Sequence, residues 1–282
     1  TLTATSPNLK IVDEAYTSGT PVSPNKIMFY MGALFLGFFI PFGFIYVKDL
    51  LDNKIHNKED LEKLINDMPV LGEIPRLSSK ELKQFVKRND RSLLAESFRI
   101  MRTNFDYVKR GRHVETYNNV IFVTSTINGE GKSFFSINMA LTFANTDKRV
   151  LLIGADIRNP QIEFEPLKQK TKQAAKIGVT EYLSDDAILV GEAINTVDVG
   201  NNKIDVMLSG KIPPNPAELL MSDRMKPLFD NVSKRYDYVI VDTAPTLLVA
   251  DTLTFMDGVD YTAYVVRSGV TEKPLIEYSK TI

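Results

Sequence analysis

Residues 119–145 read "NVIFVTSTINGEGKSFFSINMALTFAN". An apolar run closes at Thr124, a loop with two glycines follows, and after Lys132 and Ser133 the spacing turns helical. In a strand–loop–helix of this kind the backbone N–H groups of the loop and first helical turn converge on one spot, which suits a phosphate. Gly129 and Gly131 permit backbone conformations that a side chain would obstruct. Lys132 is placed to reach terminal phosphate oxygens, and the Ser133 hydroxyl to take a position on Mg²⁺. The stretch departs from the usual G-x-x-x-x-G-K-[ST] pattern at its first position, which is Thr126.

Further apolar runs share the period of that first strand: "RVLLIG" (149–154), "IDVMLS" (204–209), "YDYVIVD" (236–242) and "DYTAYVV" (260–266). Helical stretches lie between most of them, among them Ser133 to Asn145 and Ala217 to Arg235. Apolar strands alternating with helices predict an α/β fold of the P-loop NTPase type, a mostly parallel sheet with helices on both faces. Ligands bind such sheets beyond the carboxyl ends of the strands. Two other strand ends bring carboxylates there: "VLLIGADIRNP" delivers Asp156 and Arg158, and "YVIVDTAP" delivers Asp242. Either carboxylate alone could equally cap the next helix; with Lys132 and Ser133 they form one nucleotide site. "NKID" (202–205) copies the guanine-reading N-K-x-D pattern, but it stands ahead of a strand and of Asp242 instead of after both. The expected nucleotide is therefore ATP.

Composition narrows the partners. A formal net charge of −1 over 282 residues argues against a general affinity for nucleic acid. With no cysteine and two histidines in unrelated contexts, any metal is left with oxygen ligands.

Ile27 to Val47, "IMFYMGALFLGFFIPFGFIYV", is an uncharged run of 21 residues between Lys26 and Lys48. A helix of that length covers the roughly 30 Å hydrocarbon core of a bilayer, so one transmembrane helix is expected at 27–47, kinked at Pro41. Lys10 and Lys26 precede it, while Lys48, Lys54, Lys58 and Lys63 follow closely. The positive-inside rule then puts the long C-terminal part in the cytoplasm and the proline-rich segment 1–26 outside. Residues 48–89 read as a charged connector containing one short amphipathic helix, "KEDLEKLIND", and 90–282 as the nucleotide-binding domain. The first methionine is Met28, inside the apolar run, so the chain reads as part of a longer or processed protein.

Taken in order, these segments resemble the bacterial tyrosine kinases of the Wzc-like polysaccharide co-polymerase family. Its second phosphate-site motif, apolar residues followed by D-x-D-x-R, is matched by Asp156 and Arg158, with Gly154 in place of the first aspartate. Its third, apolar residues followed by D-x-x-P, is matched by Asp242 to Pro245. Its oligomerisation motif, E-x-x-R-x-x-R, is matched by Glu96, Arg99 and Arg102 in "ESFRIMRTN". "PPNPAELLMSDRM" (213–225) and the prolines ahead of the span, Pro21 and Pro24, also look like the family's. Partitioning and septum-site ATPases fit less well, because Ile127 stands where they carry an early loop lysine.

The resemblance implies an ATP- and Mg²⁺-dependent tyrosine autokinase of the bacterial inner membrane, acting in capsular or exopolysaccharide polymerisation and export. It implies a nucleotide site of Thr126, Asn128, Gly129, Glu130, Gly131, Lys132, Ser133, Phe134 and Arg158, with Lys132, Asp156 and Asp242 in the chemistry. Mg²⁺ would rest on Ser133, Asp156 and Asp242. It implies a ring-like homo-oligomer through Glu96, Arg99 and Arg102, whose spacing alone reads only as a surface ridge with an intrahelical pair worth about 0.2–0.5 kcal/mol. It places the phosphorylated tyrosines in a tail beyond Ile282. Gly154 leaves a second reading open, a non-catalytic assembly module gated by ATP. On the kinase reading, Gly154→Asp is expected to speed phosphoryl transfer.

Overall fold

The computed structural model describes residues 25–65, 68–78, 84–111, 118–162, 177–199, 202–246 and 261–279, together with Gly19, Ser23 and Glu81. The chain divides into two units, Thr1–Asn53 and Lys54–Ile282. The expected proline-rich outer segment lies almost wholly outside the described residues.

In the first unit, helix α1 spans Lys26–Leu50, starting where the Asn25 side chain accepts from the Ile27 N–H at 3.2 Å. None of its residues is buried, and it is long and apolar enough to cross a membrane. The helix is continuous on both sides of Pro41.

The second unit holds helices α2 (Lys58–Ile65), α3 (Leu93–Arg110), α4 (Lys132–Ala144), α5 (Val179–Ser184), α6 (Pro216–Leu220), α7 (Met225–Arg235) and α8 (Lys273–Ser279). Its strands are β1 (Val120–Ser125), β2 (Val150–Gly154), β3 (Asn195–Val199), β4 (Asn202–Met207), β5 (Tyr238–Asp242) and β6 (Tyr261–Val265). They form one sheet in the order β3-β4-β2-β5-β1-β6, parallel throughout except for β3 against β4.

Strand periodicity divides the core. Ile121, Val123, Val150, Leu152 and Ile240 pack on one face with Phe98, Met101 and Phe105 of α3 and Ile137, Leu141 and Phe143 of α4. Phe122, Leu151, Ile153, Val239 and Val241 pack on the other with Val179 and Tyr182 of α5 and Leu228, Phe229 and Val232 of α7. A sheet covered on both faces has no solvent side, which is why these strands read as unbroken apolar runs. Helix α4 is enclosed too, every residue from Phe135 to Ala144 being buried. Its polar Asn138 is accommodated because its side chain accepts from the Val86 N–H at 2.9 Å and donates to the Phe134 carbonyl at 2.8 Å.

Three elements differ from the sequence reading. Edge strand β3 went unseen because its residues "NTVDV" are half polar and only Val197 is buried. The run assigned to 204–209 pairs as β4 over Asn202–Met207, so Ser209 falls in the following loop. The helix expected from Ala217 to Arg235 breaks into α6 and α7. At the break, Arg224 donates to the carbonyls of Tyr182, Asp185 and Ile188 and lies 4.1 Å over the Tyr182 ring. "NKID" is β4 itself, and its start is at the end of the sheet remote from the phosphate loop. Asp205 there accepts from Thr196 at 2.6 Å and Tyr236 at 2.8 Å.

Candidate nucleotide site

The strand order makes β2, β5 and β1 neighbours, so the three carboxyl ends singled out in the sequence open into one crevice. They are laced together by the backbone: Ala155 and Asp156 N–H both donate to the Asp242 carbonyl, at 2.8 and 3.0 Å, and Thr243 N–H donates to Val123 at 3.0 Å.

The loop above β1 turns into α4 at Gly131, which has φ 99°, and Gly129 has φ 84°. L side chains are strained at both angles, so glycine is required twice within three residues. No side chain caps the start of α4. Its first N–H groups are therefore available to an anion, as unpaired donors at a helix start are.

Lys132 is the first residue of α4 and only 7 % exposed. Burial pushes its amino group below the usual lysine range, while Asp242, Asp156 and Glu130 pull the other way. Asp242 is 1 % exposed and accepts from Ser133 Oγ at 2.6 Å and Ser136 Oγ at 3.0 Å. Burial raises its carboxyl to about 6, against those two hydroxyls and Lys132. Asp156, also buried, accepts from the Asn159 N–H at 3.0 Å, and burial raises it as well. Arg158 is exposed, close enough for its charge to act on Asp156. Lys132, Ser133, Asp156 and Asp242 thus come together.

For the other residues of the expected set the structure shows where the side chains lie. Asn128 and Gly129 are exposed at the loop tip. The Thr126 side chain is fully buried and pairs with Tyr264 OH at 2.9 Å. Phe134 turns toward the core, its ring 6.4 Å from that of Phe98. Glu130 is buried and braces the loop from inside, accepting from the Ile127 N–H at 2.9 Å and from the Thr271 hydroxyl. Glu96 pairs with Arg99 within α3, Arg99 also donates to the Asp90 carbonyl, and Arg102 donates to the Thr142 carbonyl at 3.4 Å.

The sequence reading missed a set of braces from β6 and the turn after it. Arg267 donates to the Gly129 carbonyl at 2.7 Å, and Thr271 and Tyr264 hold Glu130 and Thr126. The turn carrying Arg267 and Thr271 is itself tied to the domain's first residues. Ile55 N–H donates to the Thr271 carbonyl at 3.0 Å, Gly269 N–H donates to the Ile55 carbonyl at 2.8 Å, and the Lys54 and Glu272 backbones pair antiparallel. Ser136 was visible in principle, since it lies one helical turn beyond Lys132 on the same face. Nothing local marks Thr271.

Gly154 at the end of β2 pairs with Asp242 in register. A Cβ on it would lie 2.8 Å from Ser209 Oγ and 3.2 Å from the Ser209 backbone nitrogen. That revises the expectation for Gly154→Asp, since the carboxylate cannot be added without displacing Ser209.

Fold and crevice define a phosphate-loop nucleotide-binding domain. Comparison with known proteins narrows the class. The profile of an AAA domain family matches residues 118–263. Over 184 residues the chain is 38 % identical to tyrosine-protein kinase YwqD of Bacillus subtilis, covering 65 % of this chain and 72 % of that one. Tyrosine-protein kinase etk of Escherichia coli K12 is 30 % identical over 286 residues, covering 93 % of this chain but 37 % of its own length. The solved kinase domain of Escherichia coli ETK superposes with a TM-score of 0.63 at 28 % identity, covering 77 % of this chain and 85 % of that structure. The chain belongs to the bacterial tyrosine-kinase family, and it spans little more than a third of the length of relatives such as etk.

Proposed function

We propose that the domain is an ATP- and Mg²⁺-dependent protein-tyrosine kinase acting in the polymerisation and export of a capsular or exopolysaccharide. The observation that carries this reading is the meeting of Lys132, Ser133, Asp156 and Asp242 at three adjacent strand ends beneath an uncapped helix start. The tyrosine-protein kinase names of the relatives supply the reaction class.

The residues fit Mg²⁺. Ser133, Asp156 and Asp242 are hard oxygen donors, and Ser133 Oγ lies 2.6 Å from the Asp242 carboxylate. Mg²⁺ characteristically takes one or two carboxylates and completes its shell with water and phosphate. When bound it would neutralise charge on the phosphates. The chain's own residues orient them: loop and α4 N–H groups face the phosphate, and Lys132 adds a charge-assisted bond. Asp156, its carboxyl raised by burial, is the candidate acceptor of the tyrosine proton. Helix α1 would anchor the chain in the bacterial inner membrane with this domain on the cytoplasmic side.

The test is phosphotyrosine formation by the natural full-length protein in membranes, given ATP and Mg²⁺. Signal in wild type and its loss in Lys132→Met are expected. Gly154, whose Cβ position is crowded by Ser209 Oγ at 2.8 Å, favours one alternative, a non-catalytic assembly module gated by ATP. ATP binding with no phosphotyrosine under any condition would select that module.

Oligomerisation through α3 is part of the same proposal. Arginine's planar fork suits pairing with a carboxylate of another subunit. Sedimentation of Arg99→Ala, Arg102→Ala should show smaller species than wild type, at unchanged secondary structure by circular dichroism. An identical profile for an oligomeric wild type would leave both arginines with their contacts within the chain, to Glu96, Asp90 and Thr142.

A further inference from the structure

The end of β2 carries an oddity that the proposed chemistry does not use. Along β5, Tyr238 and Ile240 face α3 and α4, so Asp242 points to the same face, toward Ser133 and Ser136. Along β2, Val150 and Leu152 face that way too, so a side chain at 154 would emerge beside Asp242. Gly154 has none, and Ser209 Oγ lies 2.8 Å from where its Cβ would be, with Ile162 Cδ1 on the other side at 3.6 Å.

Ser209 is not there by accident of a loose loop. It is 5 % exposed. Val179 N–H donates to the Leu208 carbonyl at 2.8 Å and Thr180 N–H to the Ser209 carbonyl at 3.0 Å, so the first turn of α5 clamps it on both sides. Glu181 closes the clamp, accepting from the Gly178 N–H at 2.9 Å and the Lys211 N–H at 3.1 Å. A Cβ on Gly178 would meet the Leu208 carbonyl oxygen at 2.4 Å, so the two segments are in the closest contact their backbones allow.

We infer that Ser209 belongs to the phosphate–metal site, its hydroxyl standing, from the loop after β4, in the space that a side chain on Gly154 would fill. A neutral donor and acceptor then stands at the end of β2, whose Gly154 is in register with Asp242, where a further negative charge would raise the repulsion among carboxylates. Residues 154 and 209 are interlocked, one having to be small for the other to be present. The inference rests on the nucleotide reading proposed above.

Two measurements test it, one without nucleotide. In melting experiments Gly154→Ala should lower the transition by about 5 °C, as overpacking does in a domain of this size. Adding Ser209→Gly should restore most of that loss. In calorimetry, Ser209→Ala keeps the shape and removes only the hydroxyl. ATP affinity with Mg²⁺ should fall about fivefold, the size of one hydrogen bond, while affinity in EDTA stays as in wild type. A Gly154→Ala protein as stable as wild type, or a double variant no better than the single one, overturns the interlock. Ser209→Ala matching wild type with and without Mg²⁺ reduces the hydroxyl to filler and overturns the inference alone. A wild type that binds no ATP in either buffer instead overturns the nucleotide reading, and the inference with it.

Discussion

Lys132→Met is expected to weaken ATP binding at least tenfold, about 1.4 kcal/mol. The figure is a floor. Two unit charges 4 Å apart near a protein surface interact by roughly 4 kcal/mol, and Lys132 is buried where water screens it poorly. Loss of the ammonium also leaves the carboxylates of Asp242, Asp156 and Glu130 without a cation that acts on all three. A triphosphate entering such a crevice would meet net negative charge. Methionine fills nearly the same volume in the first turn of α4, so the fold should survive, and melting curves of the nucleotide-free proteins check that it does. Isothermal calorimetry decides the matter: equal ATP affinity for wild type and Lys132→Met removes the phosphate-loop reading.

Asp242→Asn should move stability and binding in opposite directions. Burial raises the carboxyl to about 6 in the folded chain, from the ordinary aspartate value of 3.8. Between those two values the folded state holds more protons than the unfolded one, so stability falls as pH rises through that window. The penalty is absent below pH ~4 and complete above pH ~6, on the order of 3 kcal/mol. Asparagine removes it and can still accept from one serine hydroxyl and donate to the other. The nucleotide-free variant should therefore melt about 5 °C or more above wild type at pH 8. The advantage should shrink by about half near pH 5. The same variant should lose the Mg²⁺-dependent part of its ATP affinity. A variant melting at or below wild type at pH 8 would mean that Asp242 is not held at a cost, and the stability argument would fail.

The strands and the loop were legible because their signals are local. A fully covered parallel strand must be apolar at every position, and a left-handed turn before a buried helix must use glycine, so β1, β2, β5 and the stretch from Gly129 to Ser133 announce themselves. Edge strand β3 has one solvated face and polar residues to match, and it was invisible for that reason. The division of labour within the loop was not legible either. Glu130 and Thr126 sit in sequence among residues expected to face a phosphate, yet their side chains turn inward to partners far along the chain. Spacing cannot distinguish a side chain that faces a ligand from one that holds the backbone for it. The Ser209–Gly154 contact was hidden similarly, since it joins two strand ends and only the sheet order makes them adjacent.

The braces on the phosphate loop fix an order of events during synthesis. Gly129 and Glu130 leave the ribosome 138 and 141 residues before Arg267 and Thr271, which secure them. Ile55, made earlier still, waits for the same turn. Until that turn arrives, a loop with two glycines has the widest conformational freedom a chain can have and lacks these side-chain restraints. Closing a segment of that length is entropically expensive but grows only slowly with each further residue, so the delay matters more than the distance. A nascent chain can therefore assemble β1, α4 and β2 well before its phosphate loop is braced, and on the nucleotide reading competence to bind comes with β6 and the turn after it.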